Sequence, residues 1–484
     1  MKKKILMVTS EAIPFAKTGG LAEVVSELAI HLSDLGHDVR ILMPRYYHID
    51  RSALIKRDEA LGIWLKDKEE WTGVYEGVLP NTKVPVYLLD HEFYFGRDGI
   101  YGHRPDEGFV DNAARFSLLS RGTFQLCRML HWIPDVLHCH DWAAAPACYL
   151  LKKEEQYKEF SETRSVLTIH NLGYQGIFAM EDSSYVQPET DWLSLSTLEF
   201  SGALNFLKAG IMSADRITTV SPTYANEIKT HEQGFGLDGL LNYRHEDLQG
   251  ILNGIDYSVW TPESDPHIAP HFYSEKNIRN KSNVKKVLQK EMGLPVETKI
   301  PLVGIVSRLV EQKGFGALCS PSHGALFSIC RDFNVQFVIL GSGDKWCEDE
   351  LRSLSEKLPN LAVHIGYDNR LSHLIEAGSD FFLMPSIYEP CGLNQLYSLS
   401  YGTLPIVRNT GGLADTVENY DQETGNGTGF IFNDLYPDVL YNVLKWVVET
   451  WEQRKPHINK MRKNGMKKRF TWEKSALEYL EVYE

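Results

Sequence analysis

DFFLMPSIYEPCGLNQLYSLS, residues 380–400, carries a strand, a turn and the start of a helix in one short stretch. Asp380 to Pro385 form a short, mainly apolar run that reads as a strand. From Leu393 onward, Leu393, Leu396, Tyr397 and Leu399 recur at mixed three- and four-residue spacing, which reads as a helix. Between them stands Glu389-Pro390-Cys391-Gly392, a tight strand-to-helix turn with a carboxylate at its tip and a glycine at the helix mouth. In a parallel α/β sheet, ligands bind just beyond the carboxyl ends of the strands. A helix start there offers unpaired N–H groups and a partial positive charge to an anion. The turn therefore predicts an anionic ligand, with Glu389 against its neutral end.

Working outward, the same alternation of strand and helix recurs on both sides. At the amino end, strand Ile5–Thr9 leads through loop Glu11–Gly20 into a helix from Leu21 to about Leu35, closed by Gly36. Asp38–Met43 follows as a second strand. This is a βαβ unit and predicts a parallel sheet. The loop contains Lys17-Thr18-Gly19-Gly20, where paired glycines allow close backbone approach and Lys17 adds a charge. It fits neither G-x-G-x-x-G nor G-K-[ST]. Further strands are expected at Val84–Leu89, Asp135–Cys139, Arg164–Ile169 and Arg216–Val220. Helices are expected at Phe109–Leu130 and Ser201–Ala214, and Gly96–Asp111 reads as a long polar loop. Two of these strands end in polar clusters, His140-Asp141 and His170-Asn171. Polar tips on apolar strands are where such proteins place function.

Around 250–266, Pro262 and Pro266 with acidic and polar neighbours read as an interdomain linker. A Lys-rich helical stretch at 281–291 follows. A second α/β series then begins, with strands at Leu302–Ser307, Val335–Leu340, Leu361–Gly366, Asp380–Met384 and Leu404–Val407. The basic run at 454–470 reads as a solvated helix face. Two α/β halves on one linker imply two Rossmann-like domains with a cleft between them.

The totals narrow the function. A chain of 484 residues with 43% hydrophobic and 24% charged residues is ordinary for a globular protein of two or more domains. Its net charge of −14 offers no basic excess for nucleic acid, so any anionic substrate must be held by a few placed Lys, Arg and backbone N–H groups. The seven cysteines are scattered without a C-x-x-C pair, which argues for buried thiols in a reducing compartment and against zinc or a disulfide framework. Neither a signal peptide nor a membrane-length apolar run is evident, so a cytoplasmic protein with no membrane partner is expected.

In the second half, Arg308 and Lys313 lie five apart across a turn, and two fixed cations near a helix mouth suit a diphosphate. Along one chain appear, in order, Lys17-Thr18-Gly19-Gly20-Leu21, His170-Asn171-Leu172-Gly173-Tyr174-Gln175-Gly176, Leu252-Asn253-Gly254-Ile255-Asp256, Arg308-x-x-x-Gln312-Lys313-Gly314 and Glu389-Pro390-Cys391-Gly392-Leu393. Together they resemble the bacterial glycogen synthase and plant starch synthase family from end to end. Phe470-Thr471-Trp472-Glu473-Lys474-Ser475-Ala476 is similar to that family's final helix.

The resemblance implies a GT-B fold, with a first Rossmann-like domain at 1–256, a second at 257–466 and a helix at 467–484 crossing back to the first. It implies retaining transfer of glucose from ADP-glucose to the non-reducing end of an α-1,4-glucan, without cofactor. It implies roles as well. Lys17 and Gly20 meet the donor's phosphate and glucose, and His170 approaches the reacting centre. Arg308 and Lys313 bind the diphosphate, and Glu389 bonds glucose hydroxyls. Gly392, Leu393 and Asn394 present N–H groups, and Tyr367 stacks on the base. Asp141, Asn171 and Asn253 neighbour sugar or phosphate. No D-x-D motif occurs in the chain, so a metal-bridged donor is not supported.

Three features depart from the family pattern. Ala143 stands where a second histidine is common, and Glu23 where an aspartate is. Pro321 and Gly324 interrupt the helix expected after Lys313-Gly314, which predicts a broken or shortened helix. Competing readings are a GT-B enzyme using UDP-glucose, an NAD-dependent enzyme and a glucan-binding protein with a lapsed site. Gly341-Ser342-Gly343-Asp344-Lys345-Trp346 lacks the third glycine a dinucleotide fingerprint needs.

Overall fold

The computed structural model describes residues 2–104, 107–153, 155–186 and 196–484. The chain falls into two compact units, Met1–Ile251 with Trp472–Glu484, and Leu252–Thr471.

The first unit is built on a sheet whose parallel core begins with Lys4–Val8, flanked by Asp38–Pro44 on one side and Val136–His140 on the other. Outward from Asp38–Pro44 lies Pro85–Asp90, and outward from Val136–His140 lie Arg164–Ile169, Arg216–Thr219 and Leu248–Gly250. The order reverses between the first strand and Val136–His140, which makes that gap the switch point of the sheet. Antiparallel Lys68–Val78 extends the Pro85–Asp90 edge and pairs with Leu61–Leu65 as a hairpin. The final helix, Trp472–Val482, belongs to this unit. Beyond it, Tyr483 Oη lies 2.8 Å from His138 Nδ1.

Two expectations are corrected here. Ser201–Ala214 is not one helix. Ala203–Asn205 is a strand, and the helix is Phe206–Ser213. Asn205 sets the change, because its side-chain oxygen accepts from Lys208 N at 2.9 Å as the helix N-cap. Gly96–Asp111 is not only loop, since Gly102–Arg104 pairs with Glu107–Gly108; residues 105 and 106 lie outside the described residues.

The second unit carries six parallel strands. In sheet order they are Leu361–Ile365, Gln336–Gly341, Leu302–Val306, Phe381–Met384, Leu404–Arg408 and Phe430–Phe432. The first strand in sequence, Leu302–Val306, therefore adjoins the fourth, Phe381–Met384. That pair is the switch point.

The segment read as a linker is part of this unit's core. Trp260 is stacked between His373 and Tyr397, each ring 3.8 Å away and within 9° of parallel. Beneath it, buried Asp265 accepts from Tyr401 Oη at 2.6 Å and lies 3.0 Å from His373 Nδ1. An apolar ring pair and a buried carboxylate need such partners, and a solvated linker would supply none.

The helix after Gly314 is broken as expected. Phe315–Cys319 ends at Ser320, whose extended backbone precedes Pro321, and Leu326–Asp332 resumes it. Leu318, Cys319, Leu326 and Ile329 all remain in the core, so the interruption keeps the packing behind Lys313.

The basic carboxy-terminal run forms helix Lys455–Lys467, but its face is not wholly solvated. Arg462 turns inward to Asp380, at 2.6 Å, and Lys285 meets the other oxygen of the same carboxylate at 2.5 Å. Leu302 N donates to Asp380 as well, at 3.0 Å. Burial alone would raise the Asp380 pKa. Lys285 and Arg462 outweigh it and hold the carboxyl below its ordinary value. Asp380→Asn leaves buried Lys285 and partly buried Arg462 without their counter-charge. We expect a loss of about 3 kcal/mol in urea denaturation at pH 7.

Candidate functional site

In the first unit the carboxyl edge around the switch point gathers the polar groups. Glu11, two residues beyond Thr9, is buried. Its Oε2 accepts from Thr18 N, and its Oε1 accepts from Thr18 Oγ1 and Tyr101 Oη, each at 2.7 Å. It thus ties down the Lys17-Thr18-Gly19-Gly20 loop. Gly20 opens helix Gly20–Asp34, and Lys17 Nζ pairs with Glu23 Oε1 at 2.5 Å, both side chains partly exposed. The glutamate at position 23 therefore still reaches the lysine.

Across the switch point Asp141 sits at the end of Val136–His140 with φ of 56°, in the left-handed region. Its Oδ1 accepts from His170 N at 2.7 Å and Asn171 N at 3.4 Å, which fixes the turn after Arg164–Ile169. Burial raises its pKa to about 7 despite those two bonds. Asn171 in turn accepts from Gly173 N at 3.0 Å. Ala143 is fully buried one turn into the helix that Asp141 begins.

Three histidines form a stack behind this edge. His138 and His140 have ring centroids 4.1 Å apart, and His140 and His170 5.3 Å apart. His140 Nδ1 lies 3.1 Å from His170 Nε2, and His138 Nε2 lies 2.6 Å from Thr168 Oγ1. Burial depresses all three, His138 and His170 to about 3 and His140 well below its ordinary value. His170 is therefore a neutral imidazole at neutral pH.

In the second unit the loops after the first and fourth strands meet. Lys313 Nζ pairs with Glu389 Oε2 at 2.6 Å, and Ser386 Oγ donates to the same oxygen at 2.8 Å. Glu389 Oε1 has no hydrogen-bond donor among the described residues. The contact depends on glycines. Gly314 has φ of 80° and a Cβ there would collide with Pro385 O, while a Cβ on Gly411, at φ 45°, would collide with Glu389 O. Arg308 Nη2 donates to Gln312 Oε1 at 3.2 Å, and Gln312 Nε2 to Tyr388 O at 3.3 Å. Gly392, at φ 70°, turns the chain toward helix Asn394–Ser400, whose N-cap is Leu393. Asn394 Nδ2 donates to Val306 O at 3.0 Å, joining the fourth loop to the first strand.

Tyr367 follows Leu361–Ile365 and is 78% exposed. Asn253 is buried beside the Cys391 thiol, and its Oδ1 has no hydrogen-bond partner among the described residues. Burial pushes that thiol up to about 12, which removes Cys391 as a nucleophile at neutral pH. The first unit thus brings together Lys17, Gly20, Asp141, His170 and Asn171. The second brings together Arg308, Lys313, Glu389, Gly392, Leu393 and Asn394. Glu11 and Tyr101 were not singled out from the sequence; the only signal was an acid placed directly after a polar strand tip.

Two doubly wound units with polar groups at their switch points define a GT-B glycosyltransferase. Family models agree. Residues 4–243 match the starch synthase catalytic domain and residues 290–468 match glycosyl transferases group 1. The chain is 53% identical over 484 residues to a glycogen synthase of Treponema denticola, covering 99% of this chain and 98% of the relative. It is 44% identical to glycogen synthase 1 of Geobacter sulfurreducens, covering 99% and 95%. Among solved structures, the catalytic domain of starch synthase IV from Arabidopsis thaliana, bound to ADP and acarbose, superimposes with a TM-score of 0.89 at 30% identity, covering 100% of this chain and 99% of that one. A sucrose-phosphate synthase from Thermosynechococcus elongatus shares the fold, with a TM-score of 0.62 at 16% identity over 100% and 98%. The chain belongs to the glycogen synthase and starch synthase family.

The raised Asp141 pKa has a stability consequence of definite sign. A folded-state value above the unfolded one favours folding while the group is protonated, so that contribution is lost as pH rises from about 4 through about 7. The depressed histidines act oppositely, with their contribution complete above about 6.5 and lost as pH falls toward 3. Asp141→Asn keeps an acceptor for His170 N and removes the charge. We expect its melting temperature to exceed that of the parent by ~2–4 °C at pH 8, with the difference shrinking steadily as pH falls toward 4.

Proposed function

We propose that this chain transfers glucose from ADP-glucose to the non-reducing end of an α-1,4-glucan with retention, releasing ADP. The observation that carries the reading is the Lys313–Glu389 pair at the switch point of the second unit, with Arg308 on the same loop and Glu389 Oε1 left open. A cation pair beside a helix start suits a diphosphate. An open carboxylate oxygen suits sugar hydroxyls. Arg308 and Lys313 take the diphosphate and stabilise the charge that builds as ADP departs. Glu389 positions the glucose, and the backbone of Gly392, Leu393 and Asn394 offers further donors. The exposed ring of Tyr367 is the platform for the base.

Lys17 and Gly20 serve the donor's phosphate and glucose from the first unit, and His170 acts as a neutral hydrogen-bonding group near the reacting carbon. Asp141 and Asn171 fix the His170 turn, and Asn253 lies buried beside Cys391 of the Glu389 turn. The step breaks the glucose C1–O bond to phosphate and forms a C1–O bond to the acceptor 4-hydroxyl, whose proton passes to the departing phosphate oxygen. Attack on the same face accounts for retention. Tyr397, eight residues beyond Glu389, stacks on Trp260 and offers no second carboxylate at that position. The acceptor is a glycogen-type chain in the cytoplasm.

Incorporation of labelled glucose into glycogen tests this. ADP-glucose should support transfer at least tenfold faster than UDP-glucose, and Glu389→Ala should lower the rate by about 10²-fold or more. Equal rates from the two donors would refute the donor assignment. Full activity in Glu389→Ala with lost primer binding would refute the roles.

A further inference from the structure

The hairpin edge of the first unit carries a face that the proposed transfer does not use. Its register sets Leu61 opposite Thr72, Gly62 opposite Trp71, Ile63 opposite Glu70, Trp64 opposite Glu69 and Leu65 opposite Lys68. Side chains alternate across a strand, so Leu61, Ile63, Leu65, Thr72 and Val74 share one face, and all are buried. Helix Asn112–Met129 closes over that side at Gly122, where a Cβ would stand 3.1 Å from Ile63 Cδ1.

The outward face carries Gly62, Trp64, Glu69 and Trp71. Trp64 is 59% exposed and Trp71 65% exposed. They are diagonal cross-strand neighbours, about 7–8 Å apart. Glu69 lies between them, its carboxylate folded over Gly62 into the space a side chain there would fill. Five strand steps separate this edge from Arg164–Ile169, roughly 24 Å across the sheet.

The composition of this face selects its occupant. Every aliphatic residue of the paired stretch 61–65 faces inward, and exposed Ile55 and Val78 stand on the other face by register. No exposed aliphatic side chain of these strands stands on this face to extend the two rings into a larger apolar area. Here two flat rings flank one carboxylate. A pyranose matches that pattern, because its C–H face stacks on an aromatic ring while its hydroxyl edge donates to an acid.

We propose that Trp64, Glu69 and Trp71 form a surface site for an α-glucan chain, separate from the residues assigned to transfer. The choice of sugar rests on the proposed function. A polymer held at two places gains effective concentration at the second, so the site would retain long acceptors and leave short ones unaffected.

The test is the double variant Trp64→Ala, Trp71→Ala in the full chain. Both changes lie on the outward face and leave the inner one intact. Retardation in native gels containing glycogen should weaken by about fivefold to tenfold, and the KM for glycogen should rise by a similar factor. The rate with saturating maltotriose as acceptor should stay within twofold of the parent. Unchanged retardation by glycogen would overturn the site. So would a smaller species in sedimentation of the variant alone, since the face would then be a contact between copies. If the parent transfers no glucose from ADP-glucose while the variant still loses glycogen retention, the site stands and the proposed function falls.

Discussion

The second unit is organised around one contact, the Lys313–Glu389 pair at 2.6 Å. It can form only because two backbone segments come closer than side chains permit. Gly314 lets the loop after Leu302–Val306 pass Pro385, and Gly411 lets the next helix start against Glu389. Both glycines have positive φ, so any other residue meets strain as well as collision. Behind the pair, Asp380 anchors the start of the strand that delivers Glu389, with Lys285 and Arg462 on its two oxygens. The site is thus over-determined from both ends of the same strand.

Much of this was legible beforehand, for stated reasons. A parallel strand is buried on both faces, so runs such as Leu302–Val306 and Phe381–Met384 announce themselves as apolar. The turn residues at 389–392 and the glycines of the Lys17 loop mark where such strands open onto solvent. Pro321 predicted the interrupted helix because proline removes a donor and excludes a helical predecessor. What escaped was long-range pairing. Nothing local says that Glu11 will hold Thr18 and Tyr101, that Trp260 will be sandwiched between His373 and Tyr397, or that Arg462 in a basic run will turn to Asp380. Asn205 was a missed local signal, a cap residue hidden inside an apolar run.

The first unit solves a different problem, which is to limit net charge along a buried polar strand edge. Its strand tips carry Glu11, Asp141 and three histidines, in a chain whose net charge is −14. Glu11 is enclosed by hydrogen bonds from Thr18 and Tyr101. Burial drives Asp141 toward its neutral form and holds the histidines uncharged. The edge therefore presents dipoles and one partly exposed lysine, itself paired with Glu23. Dipoles fixed by neighbouring strands need no reorganisation when charge develops nearby, whereas a mobile ion would.

That arrangement also explains why the histidines are stacked rather than dispersed. His140 can hydrogen-bond His170 only if one ring donates and the other accepts, which requires at least one neutral imidazole. His138, held by Thr168 and Tyr483, packs against His140, whose burial disfavours its charged form. Tyr483 lies beyond the last helix of the first unit, so the packing behind a strand tip near residue 140 includes a residue more than three hundred positions away. The carboxy-terminal segment thus helps enclose the histidine row as part of the first unit's packing.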